Sequence, residues 1–296
     1  MAPKKIPRAG VMGWPVAHTR SPLLHGHWLS QHGIDGEYVA LAVAPEEFAR
    51  TLSQLPGRGF SGINITAPHK QAALEAITAG GGAVTETARR TGAVNTVIFH
   101  ADSHGGFSME GRNTDAFGFM ENLKEKAPQG CLGGPVAVLG AGGAARAVCA
   151  SLQEAGVGEI RIVNRNGKKA RDLAQEMTQA TGPRAAYVSW EDREAALAGT
   201  SLLVNSTSLG MSGSPPLDLP LGLLPQAAVV YDIVYAPLET ALLQRAKARG
   251  NPVVDGLGML IHQARPAFEA WFGIMPEATP EVRKILEADF RKGETT

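Results

Sequence analysis

The chain has 296 residues, room for two domains at roughly 100–200 residues each. Hydrophobic residues make up 44% and charged residues 19%, a balance that can fill two cores and lies in the soluble globular range. Lys plus Arg and Asp plus Glu number 28 each, so no global field selects nucleic acid or an acidic membrane, and neither is expected as a partner.

Cys131 and Cys149 are the two cysteines. They show no metal-ligand spacing and are too few for a disulfide framework, so a reducing cytoplasm is the expected compartment. The basic start, Met1 to Arg8, is not followed by an apolar stretch, and no secretory leader is expected. No run of 18 apolar residues suggests a membrane span.

In chain order, Gly10–Met12 reads as a short strand running into the turn Gly13-Trp14-Pro15-Val16-Ala17-His18. A helix is predicted over 22–33, with Pro22 suited to its first turn and Gly33 to its stop. Tyr38–Val43 and Phe60–Ile65 read as strands. Helices are predicted from Pro45 and after Pro68-His69-Lys70. Val94–Phe99 and Phe107–Gly111 suit a hairpin around Asp102-Ser103-His104-Gly105-Gly106. Ala79–Ala83 reads as a flexible local patch. A second pattern follows: a helix over Ala116–Ala127, the apolar strand Pro135–Leu139, a glycine turn, and a helix over Ala144–Ala155. Glu159–Val163 is the next strand and Ala170–Thr181 the next helix. Ser201–Asn205, Val229–Val234 and Pro252–Val254 complete the strand series, and Leu260–Phe272 and Pro280–Arg291 are helical. Strands alternating with helices predict a parallel, doubly wound sheet. The expected fold class is therefore α/β in two domains. Residues 1–115, completed by 257–296, form an N-terminal α/β substrate domain, and 116–256 a Rossmann-like nucleotide domain.

Val136–Ala145 carries a strand, a glycine turn and a helix start. It fits G-x-G-x-x-G/A with Gly140 for the tight turn, Gly142 for close backbone approach to a pyrophosphate, and Ala145 for helix–strand packing. The ordinary reading is a tight strand–helix turn, but the flanking strand and helix are both legible. An acid about 20 residues beyond the glycines would select NAD. Here the second strand ends in Asn164-Arg165-Asn166, followed by Lys168 and Lys169. Arg165 suits a 2′-phosphate, so NADP is the expected cofactor.

Four polar clusters end predicted strands: 18–22, 64–70, 92–96 and 111–115. Singly, each has a plain structural role. Thr19 and Ser21 can cap a helix, Asn95 and Asn113 can shape turns, Lys70 can be a solvated lysine, and Asp115 can be a cap. His25 and His27 lack a third ligand at a diagnostic spacing and are assigned to the first helix or its surface, and no metal is expected. Cys149 is assigned to core packing.

Taken together and in order, these motifs resemble the shikimate dehydrogenase family over nearly the whole chain. The resemblance runs through Gly13–Pro22, the Asn-x-Thr-x-Pro-x-Lys of 64–70, Gly-Ala-Val-Asn-Thr of 92–96, and Asn113-Thr114-Asp115. It continues through Gly140–Ala145, Asn164-Arg165, Asn205–Met211, Asp232–Pro237 and Asp255–Ala264. It implies reversible reduction of 3-dehydroshikimate to shikimate, in aromatic amino-acid biosynthesis, with Lys70 and Asp115 as the catalytic pair. It implies substrate contacts from Thr19, Ser21, Thr66 and Tyr235 around a carboxylate, and from Asn64, Asn95 and Gln263 around ring hydroxyls. Around the cofactor it implies Gly140, Ala141, Gly142, Gly143, Ala144, Asn164, Arg165, Lys169, Thr207, Ser208, Ile233, Gly256 and Met259, with Glu86 at a position sometimes near it. Thr19 stands where the family commonly has serine, which bears on the balance between shikimate and quinate. A monomer or homodimer is expected. The alternatives are a quinate/shikimate dehydrogenase preferring NAD, a dehydrogenase for an amino-substituted analogue, and a non-catalytic nucleotide sensor on the same fold. The last would be expected to lack Lys70 or Asp115.

Overall fold

The computed structural model describes residues 6–103, 105–178 and 184–293. His104 of the expected hairpin turn, the expected helix end at Thr181, and residues 1–5 and 294–296 of the expected first domain lie outside the described residues. The chain divides into two compact units, Met1–Thr114 with Gln263–Leu286, and Asp115–His262 with Glu287–Thr296.

In the first unit, β1 (Arg8–Gly13), β2 (Glu37–Ala42), β3 (Gly62–Ile65), β4 (Ala83–Val84), β5 (Thr96–Ala101) and β6 (Phe107–Arg112) form one sheet in the order β2-β1-β3-β5-β6-β4. Its helices are α1 (Ser21–Gln31), α2 (Phe48–Gln54), α3 (Lys70–Ala79) and α4 (Glu86–Thr91). β1 is parallel to β2 and β3, whereas β5 is antiparallel to β3 and β6. This pairing gathers the loops that carry chemistry. Parallel β1 and β3 end at Gly13 and Ile65, antiparallel β5 begins at Thr96, and β6 ends at Arg112. Met12 pairs with Ile65, Asn64 with Thr96, and Thr96 with Arg112. The loops at 14–20, 66–69, 92–95 and 113–114 therefore leave the same end of the sheet.

The expected hairpin forms, its turn closed by Gly106 N–H donating to Asp102 Oδ1 at 2.8 Å. The patch at 79–83 carries more structure than expected. Val84 and Ala83 pair with β6, and Thr85 caps α4, its hydroxyl accepting from Ala88 N–H. Phe48, Leu52, Ile63, Ile65, Ala73, Ile77 and Val97 build the core of this unit. Trp271 adds a long-range tie, its indole N–H donating to Val97 O at 3.1 Å. A Cβ at residue 62 would lie 1.9 Å from that nitrogen, so only glycine admits the bond.

His25 lies on the first helix, as expected, and faces its buried side. It is fully buried on α1, stacked on Tyr38 and flanked edge-on by Trp28. Burial pushes its imidazole down to about 3, so it sits in the core as a neutral aromatic ring.

The second unit contains α5 (Asp115–Lys126), β7 (Val136–Leu139), α6 (Gly143–Glu154), β8 (Glu159–Val163), α7 (Gly167–Thr178), β9 (Arg184–Val188), β10 (Leu202–Asn205), β11 (Val229–Asp232), α8 (Ala241–Ala248) and β12 (Val253–Val254). The long helix α9 (Gly256–Phe272) begins here, and α10 (Pro280–Gly293) ends here. Asp115 is the first residue of α5, one place earlier than the expected helix start. The six strands are all parallel, in the order β12-β11-β10-β7-β8-β9. β7 explains why these strands read as unbroken apolar runs. Val136 and Val138 enter a core with α5, α6 and α7, while Ala137 and Leu139 enter a second core with α8 and residues 217–224. The chain leaves β7 through β8 and β9 on one side, then returns to β10 on the other. The crevice at this reversal is where open α/β sheets take ligands.

Candidate functional site

At the gathered end of the first sheet, side chains form a continuous hydrogen-bonded series. The Thr19 hydroxyl lies 3.2 Å from Ser21 Oγ and accepts from Ser21 N–H. Ser21 bonds to the Tyr38 hydroxyl, which donates to Asn64 Oδ1 at 2.7 Å. Asn64 Nδ2 donates to Asn95 O and Thr96 Oγ1, both at 3.1 Å. Asn95 Nδ2 donates to Thr114 Oγ1, and Asn95 Oδ1 accepts from Thr114 N–H at 2.9 Å. The Thr114 hydroxyl lies 3.5 Å from Gln263 Oε1. Of the expected substrate residues, Thr19, Ser21, Asn64, Asn95 and Gln263 thus belong to one network in one unit. Ser21, Asn64 and Asn95 are buried within it.

Thr66 and Lys70 flank the network on the loop after β3. Thr66 N–H donates to Met12 O at 2.9 Å, and a Cβ on Gly13 would lie 2.4 Å from the Thr66 methyl group, so residue 13 must be glycine. Lys70 opens α3 and is half-buried, its carbonyl accepting from Val94 N–H at 2.9 Å. The preceding His69 is buried, stacked on Phe48, with Nε2 2.7 Å from Val43 O. This fixes the turn from which the lysine projects. His69, Tyr38, Thr96 and Thr114 are site-building residues that sequence reasoning did not single out. Only the strand register brings Tyr38, 26 positions away in sequence, to Asn64.

Asp115 and Tyr235 belong to the second unit. Asp115 is buried in the first turn of α5, where unpaired N–H groups favour a carboxylate. Tyr235 follows β11 and lies 5.8 Å from the Phe290 ring.

Of the expected nucleotide residues, those of the glycine turn sit where β7 and β10 meet. Gly140 has φ +115°, and a Cβ there would lie 2.6 Å from Ser206 Oγ. Gly142 is the N-cap of α6, and a Cβ built on it meets nothing within 4 Å, so its backbone faces open space. Gly143 and Ala144 begin α6, whose free N–H groups suit a phosphate. Asn164 and Arg165 follow β8. Asn164 Nδ2 donates to Asn166 O, and Asn166 Oδ1 accepts from Lys169 N–H, capping α7. Lys168 is engaged with Asp172. The exposed Arg165 and Lys169 have no side-chain ion-pair partner among the described residues. Thr207 and Ser208 lie just after β10. Asn205 Oδ1 accepts from both Thr207 N–H and its hydroxyl, and Asn205 Nδ2 donates to Leu209 O and to Asp232 Oδ1. Burial pushes the Asp232 carboxyl up to about 6, against bonds from Thr240, Val234 N–H and Asn205 that hold it down. Ile233 N–H donates to Asn205 O, and Gly256 packs so closely on the Ile233 carbonyl that a Cβ would lie 2.2 Å from it. Met259 packs into the adjoining core. Glu86, by contrast, is an exposed residue of α4 in the first unit.

Cys149 is buried, its thiol pushed up to about 12, which keeps it unreactive. Among the described residues, no group of three His, Cys, Asp or Glu side chains is placed to hold a metal, and no helix is long and apolar enough to cross a membrane.

Residues 11–97 match the shikimate dehydrogenase substrate binding domain, 123–210 the shikimate / quinate 5-dehydrogenase family, and 256–287 the shikimate 5′-dehydrogenase C-terminal domain. The chain is 54% identical over 279 residues to a shikimate dehydrogenase (NADP(+)) of Rhodospirillum rubrum, covering 94% of this chain and 96% of that one. It is 52% identical to one of Paramagnetospirillum magneticum, covering 94% and 97%. Among solved structures, shikimate 5-dehydrogenase of Thermus thermophilus, in complex with NADP(H) and shikimate, matches with TM-score 0.80 and 38% identity, covering 97% and 99%. Quinate dehydrogenase of Corynebacterium glutamicum, in complex with NAD, matches with TM-score 0.84 and 30% identity, covering 96% and 99%. With its hydroxyl- and amide-lined sheet end, its lysine at the head of α3 and its glycine turn at the β7–β10 crevice, this chain belongs to the shikimate/quinate dehydrogenase family of oxidoreductases.

Proposed function

We propose that the chain reversibly reduces 3-dehydroshikimate to shikimate with NADPH, a step in aromatic amino-acid biosynthesis. The observation that carries this reading is the joining of Ser21, Asn64 and Asn95 in one buried network beside Lys70. Such a surface suits a small ring that carries hydroxyls and a carboxylate, bound by neutral donors and acceptors. The names of the relatives from Rhodospirillum rubrum and Paramagnetospirillum magneticum agree with it.

Reducing a ketone needs a hydride on carbon and a proton on oxygen, and a bound nicotinamide supplies the hydride. The Lys70 ammonium stabilises the developing alkoxide and delivers the proton, and in the oxidation direction it takes that proton back. The family resemblance makes Asp115 the second member of the catalytic pair, a buried carboxylate able to accept from a ring hydroxyl. The free N–H groups at the head of α6 hold the pyrophosphate. For the cofactor, the tip of β8 has Arg165 exposed and without an ion-pair partner among the described residues, and the sequence Asn164-Arg165-Asn166 carries no acid that would repel a 2′-phosphate.

Initial rates at alkaline pH, crossing shikimate and quinate with NADP and NAD, test the reading. Fast turnover of shikimate with NADP is expected. Turnover mainly of quinate with NAD would overturn both the substrate and the cofactor assignments.

A further inference from the structure

Tyr38 is absent from the roles just assigned, yet it joins the two halves of the network. It stands on β2 and Asn64 on β3, with β1 between them. Tyr38 pairs with Ala9 and Asn64 with Val11, so both side chains rise from one face, two strand spacings across and two residues along, roughly 12 Å apart. The long tyrosine side chain bridges that span, its hydroxyl donating to Asn64 Oδ1 at 2.7 Å. The ring is held by His25, stacked at 3.9 Å and 5°, and by Trp271 at 6.1 Å. Its hydroxyl is thus aimed by an aromatic box.

The consequence for Asn64 follows from counting. A side-chain amide has two N–H donors and an oxygen with two acceptor sites. Both donors are committed, to Asn95 O and Thr96 Oγ1, and one acceptor site is filled by Tyr38. Asn64 therefore offers a ligand one acceptor site and reads a hydroxyl as a donor. Ser21 is tied to the same phenol oxygen.

We propose that Tyr38 is a positioning residue, fixing Asn64 in the orientation in which it meets a hydroxyl of the substrate. This rests on the proposed shikimate dehydrogenase activity. Tyr38→Phe keeps the stacked ring and removes only the hydroxyl. In that variant the KM for shikimate rises about 5- to 20-fold, while kcat stays within about threefold. The KM for NADP is unchanged. In an Asn64→Ala background the same substitution adds less than about a twofold further rise, because its effect runs through Asn64. An unchanged shikimate KM in Tyr38→Phe, or an equal multiplicative loss in both backgrounds, overturns the proposal. Failure of the wild-type protein to oxidise shikimate would sink the functional reading by itself. The Asn64 side-chain NH2 resonances, identified by their loss in Asn64→Ala, then decide the role of Tyr38. Displaced and less protected resonances in Tyr38→Phe uphold the anchoring, and unmoved ones overturn it.

Discussion

The imidazole of His25 lies flat on the phenol of Tyr38, ring centroids 3.9 Å apart and planes 5° from parallel. Neither ring nitrogen of this fully buried histidine has a hydrogen-bond partner among the described residues. The stacking holds the ring in place, while the unpartnered polar atoms cost stability.

Acid sensitivity of the first unit follows. His25 is pushed from 6.5 down to about 3. Between these values the unfolded chain binds a proton that the folded chain does not, so stability is full above 6.5 and falls as pH drops, by about 1.4 kcal/mol per unit. Urea denaturation of Trp190→Phe, whose remaining tryptophans Trp14, Trp28 and Trp271 all lie in the first unit, reads this directly. Adding His25→Phe is expected to raise the midpoint and to flatten its dependence on pH between 6.5 and 4. A slope that survives the substitution would assign the effect to other groups.

Asp232 acts with the opposite sign. Its carboxyl is pushed from 3.8 up to about 6. Over that window the folded chain holds the extra proton, so acidification from 6 towards 3.8 stabilises the second unit. Hydrogen exchange of β10 and β11, corrected for the intrinsic rate, should slow relative to that of β1 and β3 as pH falls through this range. Asp232→Asn should abolish the difference in β10 and β11, and its persistence would refute the assignment.

Lys70→Ala is expected to lower kcat by about 10²- to 10⁴-fold with a much smaller change in KM, as for loss of a proton donor acting in the transition state. Single-turnover rates check this. Near-normal turnover would remove Lys70 from the chemistry.

Arg165→Ala is expected to weaken NADPH by about tenfold or more and NADH hardly at all, because only the former presents a phosphate to the guanidinium. Fluorescence titration with both nucleotides measures the ratio. Equal weakening of the two would sink the 2′-phosphate assignment.

What the sequence made legible follows burial on two faces. β7, β10 and β11 are short apolar runs because their side chains feed cores on both sides, and the glycine turn after β7 stands out against them. β9, with sequence RAAYV, was not legible because it is a half-buried edge strand whose two alanines favour helix over strand. β4 is two residues long, and α4 is the polar ETARRT, too short for periodicity. Thr19, Ser21, Asn64, Asn95 and Lys70 could be named from sequence because they stand in motifs at strand ends. Tyr38 and His25 could not be read this way, because register across three strands gives one its reach and an aromatic neighbourhood makes the other a core residue. Neither is a property of local sequence.

Asn205 has a consequence for the lifetime of the protein. Its amide makes four bonds, two through Oδ1 and two through Nδ2, and the next residue's N–H is held by Leu139 O at 2.9 Å. Deamidation of an Asn-Ser pair requires that N–H nitrogen to attack the side-chain carbonyl, and here both partners are pinned and dry. Were the amide to hydrolyse, the new carboxylate would face that of Asp232 where a donor now lies 2.9 Å away. The fully buried Asn205 is therefore spared the slow chemical ageing to which its sequence context would otherwise expose it.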